Sequence, residues 1–142
     1  MISGCPRPYH EAVAQDVIDR KVRSLVASLN VEGVCSTFAS CEGHGFIRFD
    51  RLPYVAFWSD VEFAGALSAN LHQESLLEHP SLNYLWSVSG FFDENGKLQF
   101  SLEVSQYLGG WWPSIRRKLD ADFVTLMRLI EQSVASFAHV LK

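Results

Sequence analysis

The stretch CSTFASCEGHG, residues 35–45, gathers side chains able to do chemistry. A thiol, a carboxylate and an imidazole stand at Cys41, Glu42 and His44, and Gly43 and Gly45 flank the histidine. Glycines reach backbone angles at which successive N–H groups form a concavity that holds an anion. His44 adds a donor and, when protonated, a positive charge. Arg48 and Arg51 follow closely enough to converge on a phosphate or carboxylate. The leading expectation is an anion or nucleotide site built from Ser40, Glu42, Gly43, Gly45, Arg48 and Arg51, with Cys41 and His44 as its reactive pair.

Three other readings compete for these residues. A nucleophilic Cys41 needs its thiolate stabilised by His44, and Glu42 beside it works against that charge. A metal reading uses the two-residue gap between Cys41 and His44, with Cys35, Cys5 or His10 completing the set. No second paired motif is present, so no metal is expected. In the plainest reading the glycines serve a turn between two strands, Glu42 and His44 are its solvated tips, and the cysteines are small core residues.

These residues must be positioned by the elements around them. Residues 9–30 place Val13, Val17, Val22, Leu25, Val26 and Leu29 near one helical stripe, predicting a single helix after Pro8. GVCSTFAS reads as a strand leading into the loop. FIRFD and PYVAFWS read as strands after it. Ser59 and Glu62 fit a capping box that opens a helix to about Glu74, with Phe63, Ala64, Leu67 and Leu71 inward. LNYLWSVSGFF and KLQFSLEVS alternate apolar and polar residues around a DENG turn, predicting a hairpin with one polar face. After GGWWP a long helix runs from Ser114 to about Val140 on a stripe from Ile115 to Leu141. The sum is a single α+β domain over residues 1–142, two-layered, with a mainly antiparallel sheet and helices on one face.

Composition limits the function classes. Hydrophobic residues make up 48% and charged residues 20%, which is globular rather than disordered. A net charge of −4 provides no global field for nucleic acid. No apolar run suits a membrane span, and the N-terminus lacks the layout of a secretory signal. Three cysteines without framework spacing predict free thiols and a cytoplasmic address.

The loop STFASCEGHG, with PYVAF after it, resembles a Ser-Cys-Glu-Gly-His sequence found in small uncharacterised bacterial proteins. It is also distantly similar to the Ser-Ser-Cys-Ser-Gly-Arg signature of the wybutosine-synthesis methyltransferases, which modify a guanosine in tRNA using S-adenosylmethionine. Ser40, Cys41 and Gly43 match that signature, whereas Ala39, Glu42 and His44 depart from it. The resemblance implies a nucleoside- or RNA-modifying activity. The change from arginine to His44 bears on the contacts that arginine would make.

GGWWPSIRRK carries a second candidate, a stacking platform of Trp111 and Trp112 beside Arg116, Arg117 and Lys118. Its simpler reading is one tryptophan closing the sheet and a solvated first helical turn. Cations at a helix N-terminus are unfavourable, which points to a bound anion or an acidic neighbour. The wide apolar face of the last helix suggests a homodimer or a deeply buried helix. The sequence thus supports two classes of function: a cytoplasmic ligand-binding protein for an anionic or nucleotide ligand, with enzyme status and cofactor unknown, and a non-enzymatic interaction protein. The second, of the kind with which phages and plasmids block a host complex, would act on a protein partner through Glu94, Asp120, Asp122 and Trp111.

Overall fold

The computed structural model describes residues 7–45, 49–105 and 111–140. Cys5, Phe46, Ile47, Arg48, Gly109, Gly110 and Leu141, invoked above, lie outside them. The chain is an α+β domain with one four-stranded antiparallel sheet and helices packed against it. Strands β1 (Cys35–Cys41), β4 (Tyr54–Ser59), β5 (Trp86–Phe92) and β6 (Leu98–Val104) take the order β1-β4-β6-β5. Two short strands, β2 (His44–Gly45) and β3 (Phe49–Arg51), form a separate ladder beyond the end of β1. The helices are α1 (Tyr9–Ala14), α2 (Arg23–Ser28), α3 (Val61–Ser75) and α4 (Trp112–Val140).

The expected helix over 9–30 is broken, and the break matters for the site. After α1 the N–H of Val17 bonds Ala12 O and that of Asp16 bonds Val13 O, the paired bonds of a Schellman stop. Asp16 holds the left-handed position, with φ at 50°, where a glycine is usual. The chain then makes a 3-10 turn, Arg20–Val22, and enters α2. The stripe is therefore not continuous. Val13 and Val17 are 53% and 48% exposed, whereas Val22, Leu25, Val26 and Leu29 are buried.

The capping box also fails to form. Ser59 remains paired with Cys35 in the sheet and gives its hydroxyl proton to Asp60 O, so α3 starts one residue later behind Asp60. Phe63, Ala64, Leu67 and Leu71 do face inward. The hairpin forms as expected, closed by Asp93, whose Oδ1 accepts from the N–H groups of Asn95 and Lys97, and by Gly96 at φ 79°. Its expected polar face is partly covered, since Gln99 and Ser101 on the inner strand β6 are buried.

The core lies between sheet and helices. Phe57 packs at 5.7 Å from Phe100 and edge-on to Phe63, and Trp86 packs edge-on to Phe123. The broad face of α4 is used inside the chain, against α2 and α3, with Leu119, Leu126 and Ile130 fully buried. Among the described residues no helix is long and apolar enough to cross a membrane.

The segment before β5 does not extend the strand to Leu82. It is tied to α4 by Asp122, which is fully buried and so cannot belong to the acidic surface the sequence suggested. Asp122 Oδ1 accepts from the N–H of Asn83 at 2.7 Å and from its side-chain amide at 3.1 Å. Oδ2 accepts from the N–H of Tyr84 at 3.1 Å and from Trp86 Nε1 at 3.0 Å. Asp122→Ala should strand these donors and cost about 3 kcal/mol, lowering the melting temperature by roughly 10 °C. Asp122→Asn should not restore stability, since its amide NH₂ meets N–H donors where an acceptor is required. Thermal denaturation followed by circular dichroism checks both variants.

Candidate functional site

The corner after β1 is built from three separate parts of the chain. Cys41, the last residue of β1, is buried and pairs with Tyr54 of β4. Gly43 follows at φ 85°, a backbone angle that favours glycine, and its N–H reaches back 3.4 Å to Cys41 Sγ. His44 is half exposed and lies opposite Arg51 in the β2–β3 ladder.

Asp19 comes from the break between α1 and α2. It occupies the N-cap position of the 3-10 turn, yet its carboxylate makes no capping bond there. Oδ2 instead accepts from the N–H of Glu42 at 3.0 Å and lies 3.1 Å from His44 Nε2. Asp19, Cys41 and His44 thus bring a carboxylate oxygen, a thiol sulfur and a ring nitrogen within 4.8 Å of one another.

Arg116 of α4 supports the corner from inside. Its Nη1 donates to Glu42 O at 2.8 Å and Gly43 O at 3.1 Å, and its Nε donates to Asp120 Oδ1 at 2.9 Å. The guanidinium also lies over the rings of Phe123 and Trp112. Lys21 closes the circuit, its N–H on Glu42 Oε1 and its ammonium 3.3 Å from Asp120. The acidic neighbour expected for a cation near a helix start is therefore present twice, in Glu42 and Asp120.

Several sequence-derived roles change in this arrangement. The N–H of Gly43 reaches Cys41 Sγ, and His44 and Gly45 pair with Arg51 and Phe49 in the β2–β3 ladder. His44 Nε2 turns to Asp19, and among the described residues no hydrogen bond joins it to Cys41. Burial pushes the Cys41 thiol up, and Asp19 and Glu42 push the same way, against the Gly43 N–H and the charge of Arg51. Cys35 sits at the other end of β1, roughly 20 Å away at strand rise, so it cannot complete a set with Cys41. Burial pushes its thiol up to about 11.

The tryptophan platform divides. Trp111 is 71% exposed and Arg117 is exposed, whereas Arg116 belongs to the corner and Trp112 is half-buried over it. Ser40 is half-buried in β1 and Arg51 is exposed. Sequence reading missed Asp19 and the inward role of Arg116. The available signal was an Asp just ahead of a run, RKVRSLV, that can start a helix of its own.

A cleft of about 250 Å³ borders the corner, lined in part by Arg7, Ile18, Val26, Phe38, Ser40 and Tyr54. Ile18 precedes Asp19, Ser40 precedes Cys41, and Tyr54 is the strand partner of Cys41. Arg7 is held there by its N–H on Phe38 O and by Nη1 on Gln15 Oε1. No protein-family model matches the chain, no curated protein matches it, and no solved structure matches its fold.

If Arg116 holds the corner shut, Arg116→Ala should raise the rate at which a thiol reagent labels Cys41 in the native protein by roughly tenfold or more, the scale of charge-assisted hydrogen bonds. Labelling of Cys35 should stay slow. Peptide mass mapping of a labelling time course separates the two sites, and an unchanged Cys41 rate would show that Arg116 does not hold the loop.

Proposed function

We propose that the chain is a small ligand-binding protein whose ligand carries an anionic group of the phosphate or nucleotide class, held in the cleft beside the Cys41–Gly45 corner. The observation that carries this reading is Arg7. Arg7 lines the cleft, and among the described residues its guanidinium bonds the neutral amide of Gln15 and enters no ion pair. A cation held by a neutral partner in a half-enclosed cleft keeps its charge for an incoming anion. The anion pole thereby moves from the loop amides to Arg7, with the Ser40 hydroxyl as a second donor and Phe38 as an apolar wall. The enzymatic form of the reading, modification of a nucleoside or RNA, rests on the loop's resemblance alone.

Exposed Trp111 beside exposed Arg117 and Lys118 favours a second reading, a protein-binding surface at the start of α4. It uses none of the residues of the cleft.

Nucleoside monophosphates, nucleosides and inorganic phosphate, titrated with thermal-shift and calorimetric readouts in the presence of a chelator, should separate the two. The ligand reading expects binding that requires the phosphate and weakens roughly tenfold or more in Arg7→Gln, the scale of one charge-assisted contact. The result against it is no binding by any anion, or an affinity that Arg7→Gln leaves unchanged.

A further inference from the structure

We propose that Asp19, Cys41 and His44 form a three-residue site for a zinc-like divalent metal, with the fourth coordination position open. The donor set is one thiolate, one imidazole and one carboxylate, which suits a borderline ion and not magnesium or calcium. A Cys41 thiolate and an Asp19 carboxylate with neutral His44 carry two negative charges, which balances such an ion. In a tetrahedral site these donor atoms stand roughly 3.3–3.6 Å apart. The Asp19–His44 edge is already 3.1 Å, and all three atoms fall within 4.8 Å, so closure takes side-chain movement of about an ångström.

Separate features of the corner suit a metal better than a plain ion pair. Asp19 forgoes its capping bond and turns to Cys41 and His44. The Gly43 N–H, brought round by φ 85°, already donates to Cys41 Sγ, where it would stabilise a thiolate. The Glu42 N–H fixes the Asp19 carboxylate, and Arg116 fixes Glu42 and Gly43 through their carbonyls. Groups that orient ligands in this way are a regular part of metal sites. The burial of Cys41 and the half exposure of His44 put the sulfur inside and the open position toward solvent. Metal binding displaces the Cys41 thiol proton, and the ion, as a Lewis acid, would take an anionic ligand group at the open position of the neutral site. That last step rests on the ligand reading above; the metal site itself does not.

This site departs from the sequence-based expectation of no metal, and the reason is Asp19, which no spacing rule links to the loop.

Cobalt(II), which takes zinc sites and reports thiolate ligation by a charge-transfer absorption in the near ultraviolet, is titrated into reduced, chelator-stripped protein. The expected result is such a band saturating at one equivalent and bleached by zinc. Cys41→Ser should abolish the band. Asp19→Asn, a substitution at a partly exposed position, should weaken binding tenfold or more while circular dichroism stays unchanged. Absence of the band in the wild type, its survival in Cys41→Ser, or unchanged affinity in Asp19→Asn would each overturn the assignment. Because anion binding is measured in chelator, its persistence without a cobalt band would sink the metal site alone. A cobalt band without anion binding would sink only the ligand reading.

Discussion

Asp122 is a carboxylate with no solvent exposure that accepts hydrogen bonds from four donors on three residues, Asn83, Tyr84 and Trp86. Removing a carboxylate from water costs several kcal/mol, which only a well-satisfied site offsets. The interaction is accordingly intolerant of displacement: α4 must lie where these donors converge. Trp86 opens β5, and β5, β6, β4 and β1 follow one another in the sheet by backbone pairing. Beside the apolar packing of α4 in the core, one side chain thus ties the helix to the start of the sheet's edge strand. Glu74 acts similarly at the end of α3, where its buried carboxylate accepts the Ser81 N–H at 2.6 Å. Between them, the two carboxylates hold both ends of the crossing from α3 to the hairpin.

Once α4 is placed, the corner after β1 follows. Arg116 lies six residues before Asp122, about 9 Å along the helix axis, and reaches the carbonyls of Glu42 and Gly43. The charges at the corner fall into an inner and an outer group. The exposed Lys21–Asp120 pair lies in water and contributes little, under about 1 kcal/mol. Arg116 is only 12% exposed, so its bonds to carbonyls and to Asp120 act in a less screened medium and set the shape of the loop. The loop therefore owes its geometry to a helix seventy residues later in the chain, more than to its own glycines.

This explains which parts of the molecule were legible in the sequence. The hairpin was, because its alternation and its Asp-Glu-Asn-Gly turn agree with each other. The inward faces of α3 and α4 were legible for the same reason. The corner was legible as a place, since glycines on either side of His44 mark an unusual backbone. Its partners were not. Asp19 is delivered by a helix stop that uses Asp16 where a glycine would have been a visible signal. Arg116 sits in a basic run, and pattern alone does not distinguish it from exposed Arg117 and Lys118. The paired valines, Val13 and Val17, extended an apparent stripe across the break although both are exposed. A local period cannot report a helix stop made by backbone bonds.

The same few residues carry two local costs. A left-handed Asp16 is less favourable than a glycine there by about 1 kcal/mol. An uncapped 3-10 turn with an aspartate already in the capping position forgoes roughly another. The forgone cap is not set by the core, because Val22, Leu25 and Val26 lie beyond the Asp19 side chain in the chain and are buried through their own side chains. The second cost vanishes if Asp19 turns back to cap its own turn, and that motion would separate its carboxylate from Cys41 and His44. Unfavourable backbone and forgone caps persist where something outside the local segment holds them. For the forgone cap the holding contacts are the Glu42 N–H and His44, so that cost and the convergence of ligands have one cause, the need to keep a carboxylate at the end of β1.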